Sequence, residues 1–206
     1  MIEKEVLAEV LELASRNGNF AEIYMERSAQ NRVSMEAGKI ERVISGRDQG
    51  AGIRVVRGDN TAYGYTTDLS KEALLRLAGQ VAVGVSGETG DVSGAGAAAA
   101  PAAAATPGAA PTPIVLQQRE SPVCLPIEQR PDQVAIDEKV ALVKEAEQAA
   151  RSKDEQHIRQ VSVGYADVIQ QVAIANSDGV YVEDERVRTR MVVQVVASDG
   201  KAIQTG

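Results

Sequence analysis

The chain has 206 residues, enough for one large domain or two small ones, and its 44% hydrophobic and 25% charged residues give a globular balance. A net charge of −7 and a pI near 4.9 leave no basic surface to displace counterions from phosphates, so nucleic acid is not an expected partner. The charged start Met1-Ile-Glu-Lys-Glu5 is no signal peptide, no run of about 18 apolar residues predicts a membrane partner, and the lone Cys124 fits a reducing, cytoplasmic setting.

A helix is expected from about Ile2 to Arg16. Val6, Leu7, Val10, Leu11, Leu13 and Ala14 form its apolar stripe, with Glu3, Glu5, Glu9 and Glu12 outside. Asn17-Gly18-Asn19 ends it, and Gly18 can take the left-handed cap conformation. The pattern then alternates. Strands are expected at 21–27, 32–36, 40–44, 50–56 and 61–66, joined by turns such as Ala37-Gly-Lys39 and Arg57-Gly-Asp-Asn60, in an antiparallel meander. Ser70 caps a second helix from about Lys71 to Val83, with Leu74, Leu75, Leu77 and Ala78 among its apolar positions.

From Ser86 to about Pro113 the chain turns to Ala, Gly and Pro. Pro101, Pro107, Pro111 and Pro113 interrupt any Ala-rich helix, which predicts a flexible insert. A third helix follows from about Ile136 to Ser152, with Val140, Leu142, Val143 and Ala146 inside. Strands are then expected at 157–165, 168–175 and 180–196, with Asn176-Ser-Asp-Gly179 as a hairpin turn. After Ser198-Asp-Gly-Lys201 a strand starts at Ala202 and stops at Gly206, leaving an open edge as if the chain were truncated.

The expected fold class is α+β: antiparallel sheet(s) with helices on one face, a helix–β-meander plan occurring twice, and an Ala/Pro-rich disordered insert between. Residues 1–85 make the first helix/β-meander/helix unit, 86–130 the flexible insert, and 131–206 a second, truncated helix/β unit. The two units pack as one amino-terminal domain.

Candidate chemistry is sparse. Catalytic zinc needs about three protein ligands, yet His157 is the single histidine and reads as a strand-end residue. Glu183, Asp184 and Glu185 are adjacent on a strand and point alternately to opposite faces, which works against convergence on a cation. Arg186, Arg188 and Arg190 read as a solvated strand face. Cys124, in Ser121-Pro-Val-Cys-Leu-Pro126, has no matched base and reads as a bystander thiol, with a Cys-dependent hydrolase as the weaker alternative. Gly50-x-Gly52 lacks the Lys-Ser/Thr and the strand–loop–helix order of a phosphate loop. It marks either a bulge or close backbone approach within the sheet, or a place where a partner chain or peptide passes.

Asp48-Gln-Gly-Ala-Gly-Ile-Arg-Val-Val56, followed by Gly58-Asp-Asn-Thr-Ala-Tyr-Gly-Tyr-Thr-Thr-Asp-Leu-Ser70, resembles the amino-terminal region of the TldD/PmbA family, and its TldD branch more than its PmbA branch. Ala21-Glu-Ile-Tyr-Met25, Glu36-x-Gly-x-Ile40, Ile136-Asp-Glu-Lys139 and Ala175-Asn-Ser-Asp-Gly179 fit the same pattern in order. The resemblance implies a zinc metallopeptidase acting as a two-subunit assembly, homo- or heterodimeric. Its zinc would sit on a His-Glu-x-x-x-His motif and a downstream Cys in a carboxy-terminal half not present here. The expected function is therefore that of a non-catalytic amino-terminal domain, inactive alone, which shapes a peptide cleft and contacts the second subunit. Gly50, Gly52 and Arg54 are the expected peptide or partner contacts. The alternative is a stand-alone protein-interaction module without enzymatic activity.

Overall fold

The computed structural model describes residues 2–86, 113–120 and 126–206. Among these, three helices, α1 (Lys4–Ala14), α2 (Lys71–Gly84) and α3 (Ile136–Arg151), accompany seven strands. The strands are β1 (Phe20–Glu36), β2 (Lys39–Arg57), β3 (Asn60–Thr66), β4 (Gln117–Arg119), β5 (Ile158–Asn176), β6 (Val180–Ser198) and β7 (Ile203–Thr205). They form a sheet in the order β3-β2-β1-β5-β6-β4, with β7 also on β6. The α+β class is as expected, and a helix followed by three strands occurs twice, as α1-β1-β2-β3 and α3-β5-β6-β7. Most of the Ala/Pro insert, and Cys124 with it, lies outside the described residues.

Three strands are longer than the sequence suggests. The 21–27 and 32–36 segments are one strand, as are 40–44 with 50–56, and 157–165 with 168–175. Polar residues at 28–31 and 45–49 read as breaks, but a ladder continues through any residue whose N–H can pair, and no proline intervenes. At 165–168 the apparent break is Asp167, whose charge is neutralised within the fold.

The chain divides into two compact units. The first comprises Met1–Arg27, Gln49–Val123 and Gln171–Asp184. Here α1 and α2 cover a hydrophobic cluster that includes Leu7, Val10, Leu11, Ile23, Ile53, Val55, Leu74 and Leu77. The α1 stripe is as expected, and the Ser70 side chain caps α2 by accepting from the Ala73 N–H at 3.3 Å. Gly18 departs from expectation. Its backbone is extended (φ −120°), and glycine is required there because a Cβ would stand 2.8 Å from the Val56 carbonyl oxygen.

Residues 113–119, within the segment expected to be a flexible insert, contribute a strand to this unit. Ile114 and Leu116 pack against the core, and β4 pairs in parallel with β6 from Gln117↔Val180 to Arg119↔Val182. Gly179, in the Asn176–Gly179 turn, has φ +83°, and a Cβ there would meet the Val115 carbonyl at 2.8 Å.

The second unit comprises Ser28–Asp48, Cys124–Gln170 and Glu185–Gly206. Its smaller cluster joins Val33 and Met35 of β1 with Val161, Val163 and Tyr165 of β5 under Val143 of α3. The buried stripe of α3 is Lys139, Val143 and Glu147, while Leu142, expected inside, is 46% exposed. The helix is turned so that two charged residues, which a hydrophobicity pattern assigns to solvent, face inward. The strand after Ala202 exists as β7, paired with Val196–Ser198, and Gly206 exchanges two backbone hydrogen bonds with Val195 at 2.8 and 3.0 Å.

Candidate functional site

The expected contact residues lie on β2 in the first unit. Ala51, Ile53 and Val55 enter the core, so Gly50, Gly52 and Arg54 fall on the opposite face by strand alternation. Gly64 of β3 sets the same alternation next door. A Cβ on it would meet Leu77 and Val81 of α2 at 2.7 and 2.9 Å, so Tyr63 and Tyr65 point away from the helices. Tyr63 and Tyr65 are 64% and 65% exposed, and Tyr24 of β1, between buried Ile23 and Met25, is 41% exposed.

Gly52 stands opposite Tyr65, but it is the Tyr63 ring that lies across it, with ring carbons 3.0 Å from where a Cβ would be. An aromatic laid over a strand glycine shields the backbone that the glycine bares. A Cβ on Gly50 would meet only the Thr66 carbonyl, at 3.2 Å. The Arg54 guanidinium pairs with Glu22 at 2.9 Å, and the Tyr24 hydroxyl donates to Glu26 at 2.7 Å. Gly50 and Arg54 thus lie on a solvent-facing surface with three phenols and an ion pair, while Gly52 is buried beneath the Tyr63 ring. The Tyr63-Gly-Tyr65 pattern is the sequence signal for two of the phenols.

The second unit holds a buried polar network that the sequence reading missed. Lys139 Nζ contacts Asp167 Oδ2 at 2.6 Å, with both side chains 2% exposed. Asn31 donates to Asp167 Oδ1 at 3.0 Å, and Ser45 donates to Asn31 at 2.7 Å. Burial, reinforced by Asp167, pushes the pKa of the Tyr165 hydroxyl up to about 12. Among the described residues no buried side-chain nitrogen or oxygen lacks a partner. Satisfied buried networks of this kind rigidify and specify a core.

The zinc of the resembled family does not fit the residues described here. His157 bonds Asp154 through Nδ1 at 2.8 Å, and that bond holds the Asp154 carboxyl below its ordinary range. No group of three His, Cys, Asp or Glu side chains among the described residues could hold a metal ion. Within the acidic run, Glu183 accepts from the Tyr181 hydroxyl and Glu185 from Arg130. No helix among the described residues is long and apolar enough to cross a membrane.

Comparison with known proteins bears on the whole chain. Residues 21–96 match the family profile of PmbA/TldA metallopeptidase domain 1, and residues 129–206 match the PmbA/TldA metallopeptidase central domain. A protein of Methanothermobacter thermautotrophicus named a metalloprotease is 28% identical over 207 residues, covering 100% of this chain and 40% of that protein. Two solved structures share the fold. A candidate modulator of DNA gyrase from Thermotoga maritima aligns over 98% of this chain and 41% of its own, with TM-score 0.71 at 18% identity. TldE from Thermococcus kodakarensis aligns over 96% of this chain and 40% of its own, with TM-score 0.66 at 14% identity. The chain thus spans about 40% of the length of the relatives it matches. With the two profiles matching in order across both halves, the chain belongs to the PmbA/TldD metallopeptidase family and carries its first and central domains.

Proposed function

We propose that these 206 residues are the non-catalytic amino-terminal part of a peptide-cleaving zinc enzyme whose metal is held elsewhere in a longer polypeptide. The observation that carries this reading is the match to the family's domain 1 and central domain, in order, in a chain that covers 40% of a related protein named a metalloprotease. The ligand count supports it: one histidine, tied to Asp154, is too little for a catalytic zinc. In this reading the region shapes the peptide cleft and contacts a second family subunit in the cytoplasm. The surface bearing Gly50, Gly52 and Arg54, with Tyr24, Tyr63 and Tyr65, is the contact face.

Two measurements together test it. The reading frame should continue past Gly206 into a His-Glu-x-x-x-His motif, and the longer product should cleave peptides in a zinc-dependent manner. The 206-residue chain should show no turnover with added zinc. Stoichiometric zinc binding with turnover by the chain alone would overturn the proposal. A natural stop after Gly206, with a monodisperse and cooperatively folded product, would favour the interaction module instead.

A further inference from the structure

β3 pairs with β2 only between Ala51 and Arg57, and no strand lies beyond β3 in the sheet. From Lys39 to Arg47 the outer edge of β2 therefore has no neighbour among the described residues. Sheet edges of this length template further pairing unless proline, charged side chains, a bulge or a covering element blunts them; Lys39, Glu41, Arg42 and Arg47 on this edge oppose indiscriminate pairing, so any partner must complement them. No proline occurs here. Instead the middle carries adjacent apolar residues on opposite faces, Val43 at 46% and Ile44 at 41% exposure, and neither belongs to either core.

Charge and ladder geometry select the occupant. In an antiparallel ladder, opposed residues both turn their N–H and C=O groups toward the partner or both turn them away. A strand pairing with its own copy must therefore have its twofold axis through a residue, not between two. An axis at Arg42 opposes Arg42 to itself, and one at Val43 opposes Lys39 to Arg47. An axis at Ser45 needs Asp48 opposite Arg42, and Asp48 already has an interaction within the chain. An axis at Ile44 opposes Glu41 to Arg47 on both sides, sets the two Ile44 side chains together and opposes no like charges. We propose that a second copy of this chain docks on this edge, its β2 antiparallel to the first about a twofold axis at Ile44. The inference extends the two-subunit part of the reading above by naming a surface, and its test reads association alone, so peptidase activity could fail without touching it.

A strand pair of this length buries less than a standard interface of about 1,600 Å², so the dimer is reversible and its population follows concentration. Sedimentation of the full 206-residue chain up to about 500 μM, a range suited to weak complexes, should show a monomer–dimer equilibrium. Glu41→Arg and Arg47→Glu should each weaken self-association by roughly three- to tenfold through like-charge opposition. Mixed in equal amounts, the two variants should associate as strongly as the parent, because each then meets its complement on both sides of the axis. Ile44→Lys should abolish the dimer. A monomer at every concentration would overturn the proposal. So would a dimer indifferent to all three changes, or an edge that pairs only with a different polypeptide.

Discussion

In the first unit α1 and α2 press Leu7, Val10, Leu11, Leu74 and Leu77 onto Ile23, Ile53 and Val55, and no charged side chain described there is buried. In the second, α3 works alone and lays Lys139 and Glu147 beside Val143, over a cluster of only six buried apolar side chains. The difference is one of error tolerance. An aliphatic core loses contacts in proportion to the atoms removed, and its neighbours partly relax into the gap. A buried ion pair gives nothing back by relaxing, because the survivor keeps a charge that no longer has a counter-ion. The second unit is therefore the more fragile toward single polar changes, although its pair is not the source of net stability.

The largest expected effect breaks that pair. Lys139→Met strands Asp167 and should cost about 3–5 kcal/mol in chemical denaturation. Adding Asp167→Leu should recover most of the loss. If the double variant is no better than the single one, the pair is not what makes this core fragile. Next, Leu74→Ala should cost about 2–5 kcal/mol. Amide exchange should rise in the α1/α2 core more than around α3, and equal acceleration in both would dissolve the contrast between the units.

The third expectation concerns alkali. Burial keeps the Tyr165 phenol neutral in the folded chain, so the unfolded chain ionises first, near its ordinary pKa of 10.0, and the folded one only near 12. Stability from this group is fully present below pH 10.0 and is lost as pH rises through about 12. Tyr181 in the first unit is also raised, by burial and its bond to Glu183, so the whole chain should weaken in alkali. Tyr165→Phe should remove only the second unit's share, seen as a shallower pH dependence of α3 amide exchange. An unchanged slope would mean that the phenol is not the titrating group.

The periodic, apolar parts of the chain were legible. Leu7, Val10, Leu11 and Ala14 in α1, the Ser70 cap and the Asn176–Gly179 turn all follow from spacing and turn chemistry, and all are local. What escaped was set by distant partners. Asp167 falls between the strands expected at 157–165 and 168–175, and it can sit inside one strand because Lys139, 28 residues earlier, is its counter-ion. Leu142 reads as core because the charged stripe that displaces it is hidden by the same pairing. β4 has too few residues for a period and forms because β6 offers it an edge. The face of β2 that carries Gly50, Gly52 and Arg54 follows from alternation, but the ring that covers Gly52 comes from the next strand.

In β1 the odd-numbered residues Ala21, Ile23 and Met25 serve one core, and Val33 and Met35 serve the other. β5 does the same with Val161, Val163 and Tyr165, then Ala173 and Ala175. Each strand is thus one continuous ruler with a two-residue graduation, read at both ends. Deleting a single residue between Met25 and Val33 would shift the count at one end against the other and turn a whole set of core side chains into solvent. Length changes in this chain are therefore tolerated at its turns and not along β1 or β5, and comparison of relatives should find their insertions gathered there.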